Sequence, residues 1–175
     1  MVLVNEVYIE QIKSIKQYVD GLSELLIEVV GDGASIGFLP PFQHSNAIKY
    51  WENVLSSEVI LFVAKINNRV VGSVQLHLCT KQNGAHRAEI AKLMTHPKYR
   101  RKGIGLSLMQ KAEETAKQEG RTLLILDTRE GDPSNKLYTS MGYIKAGRIP
   151  KYAESANGEL DATIFYYKTC PIVEY

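Results

Sequence analysis

Three consecutive cations, Arg100, Arg101 and Lys102, stand against two glycines, Gly103 and Gly105, in the stretch YRRKGIG over residues 99–105. Adjacent like charges repel one another, and a glycine inside a helix costs about 1 kcal/mol relative to alanine. A bound anion offsets both, because the cations attract it while glycine lets backbone N–H groups approach it closely. Taken alone, the stretch also reads as a solvated basic turn ahead of a helix. It is not a Walker loop, since G-x-x-x-x-G-K-[ST] is absent, and it does not complete G-x-G-x-x-G, because Leu108 holds the third glycine position. The pattern it satisfies is R-x-x-G-x-G, with Arg100, Gly103 and Gly105.

Other side chains could act on protons. Glu89 lies in AEIAKLMT, where strand alternation places it with Ala91 and Leu93 on one face. A carboxylate there can have a raised pKa and deprotonate an ammonium, directly or through water. A structural salt bridge, for example to Arg87 or Lys92, is the competing reading. His96 is a second candidate base, although its place before Pro97 predicts a solvated turn. Asn135 and Tyr138, three residues apart, share one face of a short helix, and Leu137 and Met141 face elsewhere. From spacing alone Tyr138 reads as an ordinary half-buried tyrosine, one of 10 in the chain. His44, His77 and His86 lack metal-ligand spacing, so no metal is assigned.

The elements that must position these residues follow from periodicity. Residues 3–9 suggest a strand, and Ile12, Ile15, Val19, Leu22, Leu26 and Val29 then recur at helical spacing, with an interruption expected at Gly21. GDGASIGFLPPF is a loop by its glycines and prolines, after which Ser45 or Asn46 can cap a helix running to about Leu55. VILFVAKI and VVGSVQLHL, separated by Asn67, Asn68 and Arg69, read as a hairpin, and AEIAKLMT as a further strand. A helix over 103–119 carries Ile104, Leu108, Ala112 and Ala116 on one face and Gln110, Glu113, Glu114 and Lys117 on the other, and ends at Gly120. TLLILDT is almost wholly apolar, as expected of a strand covered on both faces. Asp132 and Pro133 open a short helix with a cap and a first-turn proline, ending at Gly142. Strands over roughly 143–152 and 160–168 follow, joined through a tight reversal at Asn157 and Gly158. No repeat or linker appears, so one domain over 1–175 is expected, an α/β chain with a mixed sheet and helices on both faces.

Composition narrows the function classes. With 175 residues, 45% hydrophobic and 23% charged, the chain is ordinary globular material. A net charge of +2 is too small to indicate nucleic-acid binding, and the local clustering of cations fits a small anion better than a polyanion. Cys79 and Cys170 are far apart with no C-x-x-C spacing, which suggests a reduced compartment. The amino terminus has no basic segment leading into an apolar run, and no stretch approaches the roughly 18 apolar residues of a span. A cytoplasmic, membrane-free protein is expected.

Taken together, AEIAKLMTHPKYRRKGIGLSLMQKAEETAKQEG, TLLILDT and PSNKLYTSMGY, spanning about Ala88 to Tyr143, resemble the GNAT superfamily of N-acetyltransferases. In that family R-x-x-G-x-G/A binds the pyrophosphate of acetyl-coenzyme A. The resemblance implies a mostly antiparallel central sheet splayed in the middle, with pantetheine between the splayed strands. Backbone N–H groups of Lys102, Gly103, Ile104, Gly105 and Leu106 would hold the pyrophosphate, with charge-assisted hydrogen bonds from Arg100 and Arg101. Leu93, Met94 and Thr95 would line the pantetheine, the N–H near Met94 polarising the thioester carbonyl. Asn135 would touch the cofactor arm, and Tyr138 would protonate the departing thiolate. Glu89 sits where some members of the family carry the base. The implied reaction is direct attack by an amine through a tetrahedral oxyanion, with no covalent enzyme intermediate. The acceptor is a small-molecule amine or the amine of a peptide or protein, and a homodimer is an allowed arrangement. Phe38, Phe42, Tyr50, Trp51 and Tyr152 suggest a partly apolar acceptor pocket. The rival reading is a non-catalytic module that binds or senses acyl-coenzyme A, against which an intact Tyr138 and Asn135 weigh.

Overall fold

A computed structural model of the chain describes residues 6–171. The first strand, β1, is Tyr8–Ile12, so it lies later than the sequence suggests, and residues 3–5 of the expected strand fall outside the described residues. The first helix, α1, is Val19–Gly31. Ile12 therefore closes a strand, and the helix passes through Gly21 without a break. A short helix α2 (His44–Glu52) follows, started by Gln43 with no side-chain cap, so neither Ser45 nor Asn46 caps it. Strands β2 (Val59–Ile66) and β3 (Arg69–Leu78) form the expected hairpin. Asn67 and Asn68, both at positive φ (49° and 63°), make its turn, a conformation asparagine tolerates better than most residues.

The later elements are β4 (Arg87–Thr95), α3 (Ile104–Gln118), β5 (Leu123–Arg129), α4 (Ser134–Ser140), β6 (Ile144–Glu154) and β7 (Leu160–Thr169). They complete one seven-stranded sheet in the order β1-β2-β3-β4-β5-β7-β6, antiparallel except between β4 and β5. That parallel pairing holds only where Arg87, Ala88 and Glu89 meet Leu123, Leu124 and Ile125, after which the two strands separate. The fold class is the expected mixed α/β one, a mostly antiparallel sheet splayed in its middle.

Each face of the sheet has its own apolar cluster. Leu22, Leu25, Leu26, Val29 and Val30 of α1, with Ala47 and Trp51 of α2, cover Ile12, Leu61, Val63, Val70 and Met94. On the other face Ile104, Leu108, Met109, Ala112 and Ala116 of α3 lie on Phe62, Ala64, Val71, Val74 and Leu76. Gly72 of β3 lets α3 come this near, since a Cβ there would stand 2.9 Å from Ile104 and 3.1 Å from the Met94 carbonyl oxygen. Covering by α1 and α2 stops short of β5. Leu124 and Leu126 are buried beneath α3, whereas Ile125 is 36% exposed and Asp127 faces open space, so TLLILDT is covered on one face only.

Candidate active site

The start of α3 is shaped by backbone rather than by packing. His96, at the end of β4, is 3% exposed, and its Nδ1 accepts from the Lys98 N–H at 3.1 Å, which holds the short turn Pro97–Tyr99. This corrects the expectation of a solvated histidine. Burial, reinforced by Arg69, pushes its imidazole pKa down and so favours the neutral form that this bond requires. Arg101 (φ 60°) and Gly103 (φ 76°) then swing the chain into the helix. A Cβ on Gly103 would meet nothing within 4 Å, so glycine serves the left-handed conformation there and leaves the approach to the first amides open. Arg100 pairs with Asp32 at 2.6 Å, tying this turn to the loop after α1. The Lys102 ammonium stands 5.2 Å from the centre of the Tyr99 ring.

Where β4 and β5 separate, a cavity of about 1350 Å³ opens, and it reaches both faces of the sheet. Arg100, Arg101, Gly103, Ile104, Gly105 and Leu106 line one end, with Leu93, Met94 and Thr95 along β4, so most of the anticipated binding residues converge on one space. Lys102 and Asn135 are not part of the lining. The Asn135 amide donates to the carbonyl oxygens of Arg129 and Asp132, both at 2.9 Å, and accepts from the Tyr166 hydroxyl at 2.7 Å. It fastens α4 to β5 and β7. Nor does Asp132 cap α4 with its side chain, which instead pairs with Arg129 Nε at 3.1 Å.

The strand β4 does not alternate as the sequence suggests. Gln75 pairs with Ala91 and Ser73 with Met94, so Lys92 and Leu93 stand opposite Val74 alone, and Lys92 takes a φ of 54°. This bulge inverts the alternation. Leu93 consequently packs with the α3 cluster and Met94 with the α1 and α2 cluster, so Leu93 does not share a face with Glu89. Pairing of Glu89 with His77 on one side and Ile125 on the other puts these three, with Asp127, on the α1 and α2 face. Among the described residues neither Glu89 nor Asp127 makes a hydrogen bond or ion pair, so the structural salt bridge to Arg87 or Lys92 is not formed. Solvent reaches both carboxylates, yet the cleft walls desolvate them and raise both pKa values. The proximity of Asp127 raises that of Glu89 further, and Lys92 opposes the shift in each. The Lys92 ammonium, lowered in pKa by burial, donates to the Ile36 carbonyl at 2.5 Å. Nearby, Gln75 links His77 Nε2 (2.8 Å) to the Tyr50 hydroxyl (2.9 Å), to which it donates.

Tyr138 enters the cavity from the α3 side. It is 5% exposed, packed against the rings of Tyr143 and Tyr166, and its hydroxyl has no protein partner among the described residues. Burial, with the nearby carboxylates Asp127 and Asp132, drives its pKa well above that of an ordinary phenol, so it is protonated throughout the neutral range. Sequence reasoning missed Asp127 and Arg129 in the cleft wall, and took Lys92 only as an ion-pair partner for Glu89. A charged residue inside the apolar run LLILDT was the available signal for Asp127, and a lysine breaking the alternation of AEIAKLMT for Lys92. Trp51 is fully buried in the core and does not line the pocket, whereas Tyr50 and Tyr152 do.

The chain belongs to the acetyltransferase (GNAT) family, whose model matches residues 28–143. It is 30% identical to an uncharacterized N-acetyltransferase of Azospirillum brasilense over 71% of this chain and 77% of that protein. It is 31% identical to N-alpha-acetyltransferase 30 of Xenopus laevis over 53% of this chain and 34% of that protein. The Salmonella typhimurium structure with its cofactor acetyl-CoA superposes with a TM-score of 0.78 at 17% identity, covering 97% of this chain and 96% of that one, which is a likeness of fold.

Proposed function

We propose that residues 1–175 act as one acetyl-coenzyme-A-dependent N-acetyltransferase that transfers the acetyl group to a primary amine by direct attack. The residues present fit the cofactor. A cavity of about 1350 Å³ exceeds the usual volume of a small-ligand pocket, Gly103 leaves the first amides of α3 open, and Arg101 lies beside them. Acetyl-coenzyme A, when bound, supplies an acyl carbon already activated by its bond to sulfur. In this reading the α3 amides, with Arg100 and Arg101, hold the pyrophosphate, and Leu93, Met94 and Thr95 border the pantetheine. The N–H groups at the β4 bulge, near Met94, would polarise the thioester carbonyl.

Proton traffic falls to two side chains. Glu89, on the α1 and α2 face, takes a proton from the incoming ammonium, and its raised pKa makes it a stronger base than an ordinary carboxylate. As nitrogen bonds to the acyl carbon and the carbon–sulfur bond breaks, Tyr138 gives its proton to sulfur. The second proton leaving nitrogen restores the phenol through solvent in the cleft. One proton is released overall, with the amide and the free thiol as products.

Tyr138 carries this reading. A hydroxyl without a protein partner among the described residues, on a tyrosine 5% exposed in the wall of a cavity shared with the α3 start and Glu89, is a group waiting for a ligand atom. A module that only senses acyl-coenzyme A has no use for such a phenol together with two unpaired carboxylates. The test has two arms. Acetyl-coenzyme A should stabilise the protein, by about 2.7 kcal/mol at a hundredfold excess over Kd. Thiol release should also appear across an amine panel. Stabilisation without any turnover would favour the sensing module, and neither effect would refute both.

A further inference from the structure

The acceptor end of the cleft carries an uneven set of charges. Glu89 and Asp127 line it with no hydrogen bond or ion pair among the described residues. The cations that border it are already engaged. Lys92 donates to the Ile36 carbonyl and faces both carboxylates, whereas Arg100, paired with Asp32, and Arg101 line the opposite end at the start of α3. Arg129 is neutralised by Asp132 and donates to the Ser155 hydroxyl (2.9 Å) and the Gly33 carbonyl (3.0 Å). With both carboxylates ionised and Lys92 the one cation acting on them, the acceptor end holds two negative charges against one positive. Independently, the hydroxyl of the nearly buried Tyr138, without a partner among the described residues, marks the same cavity as a place where a ligand sits.

Resting on the N-acetyltransferase reading, we propose that the acceptor is an amine with no anionic group next to its reacting nitrogen, and not a free amino acid. A monocation brings the acceptor end to neutrality between Glu89 and Asp127. A zwitterion leaves the excess charge in place and sets its own carboxylate against Asp127, with no uncommitted cation among the described residues of that end to receive it. Asp127 is then a specificity-determining residue: it selects by charge, while Glu89 takes the proton. Tyr50 and Tyr152, which line the same end, offer the remainder of the acceptor a partly apolar wall.

The test uses matched sets: phenylalanine, phenylalaninamide and phenethylamine, then leucine, leucinamide and isoamylamine. The two replacements bracket the parent in amine basicity, so basicity alone cannot order both above it. Binding of each to the protein saturated with coenzyme A is read by calorimetry, and kcat/KM by thiol release. The amide and the simple amine should each exceed the parent amino acid by at least about tenfold in affinity. In Asp127→Asn, whose fold is checked by its melting curve, that ratio should shrink several-fold. Amino acids that bind as well as their amides would overturn the proposal, as would a ratio that Asp127→Asn leaves intact or the failure of every amine to bind. The predicted binding order without thiol release would uphold the charge selection and sink the enzyme reading. Turnover with equal kcat/KM for acids and amides would do the reverse. Amides preferred over simple amines would point to a peptide amino terminus, and the opposite order to a small amine.

Discussion

Replacing Tyr138 by phenylalanine removes one oxygen and leaves the ring packed between Tyr143 and Tyr166. The structure separates its two consequences. Because the hydroxyl has no partner among the described residues, its removal breaks no hydrogen bond there and should change stability by less than about 1 kcal/mol. For a chain of this size that is a shift in Tm of roughly 2–4 °C at most. If Tyr138 protonates the departing sulfur, kcat should fall by about 10²- to 10⁴-fold, which at 1.36 kcal/mol per decade is roughly 2.7–5.5 kcal/mol of barrier. The lower end is expected, because a thiolate with an intrinsic pKa near ~8.5 is a tolerable leaving group. Affinity for acetyl-coenzyme A should barely move. Thiol release under saturating cofactor gives kcat, and a melting curve gives stability. Full kcat on an amine that the wild type acetylates would refute the assignment. So would a large fall in Tm with turnover per folded molecule unchanged, the pattern of a structural tyrosine.

Four further outcomes follow from the same geometry. Glu89→Gln should lower kcat/KM by roughly 10²-fold or more and abolish the acidic limb of the pH profile, which in the wild type should lie above the ordinary carboxylate range because burial and Asp127 raise the Glu89 pKa. The same raised pKa means the folded state binds the proton more tightly than the unfolded chain. Stability from this group is thus full below the ordinary glutamate pKa and is lost as pH rises through the raised one, so Glu89→Gln should raise Tm at neutral pH and lose that advantage in acid. Gly103→Ala should destabilise by about 1–2 kcal/mol through the positive φ and weaken acetyl-coenzyme A binding measured by calorimetry, although the added methyl group meets no protein atom. Glu113→Ala strips the Lys168 ammonium of both its bonds to that carboxylate (2.9 and 3.1 Å) on the buried side of α3, and should lower stability by roughly 1–3 kcal/mol in a denaturant titration.

Some of this architecture is written locally and some is not. The hairpin at Asn67 and Asn68 and the apolar face of α3 follow from short-range rules, turn chemistry and helical spacing, and the structure has both where the sequence puts them, except that Glu113 of the expected polar face is buried and paired with Lys168. The R-x-x-G-x-G stretch likewise leads into α3, and its glycines and arginines line the cavity. Lys92 is different. Nothing in AEIAKLMT announces that a lysine will take a positive φ, yet that one bulge decides which strand residues face which side and sends Leu93 away from Glu89. Asp127 was hidden for another reason. An apolar run predicts burial on both faces, but the extent of α1 and α2 determines whether both faces are covered, and that is a property of tertiary packing. The start of α1 was misplaced because Ile12 and Ile15 fit a helical repeat that β1, by pairing with β2, overrides.

The central claim is transfer of an acetyl group to nitrogen, and it is tested most directly by following the label. Acetyl-coenzyme A carrying carbon-13 in its acetyl group, incubated with the protein and an amine from the panel, should yield the labelled acetamide in amounts equal to the thiol released, by mass spectrometry. Labelled acetate with thiol release independent of the amine would mean hydrolysis. Cofactor that remains intact in the presence of every amine would contradict the account.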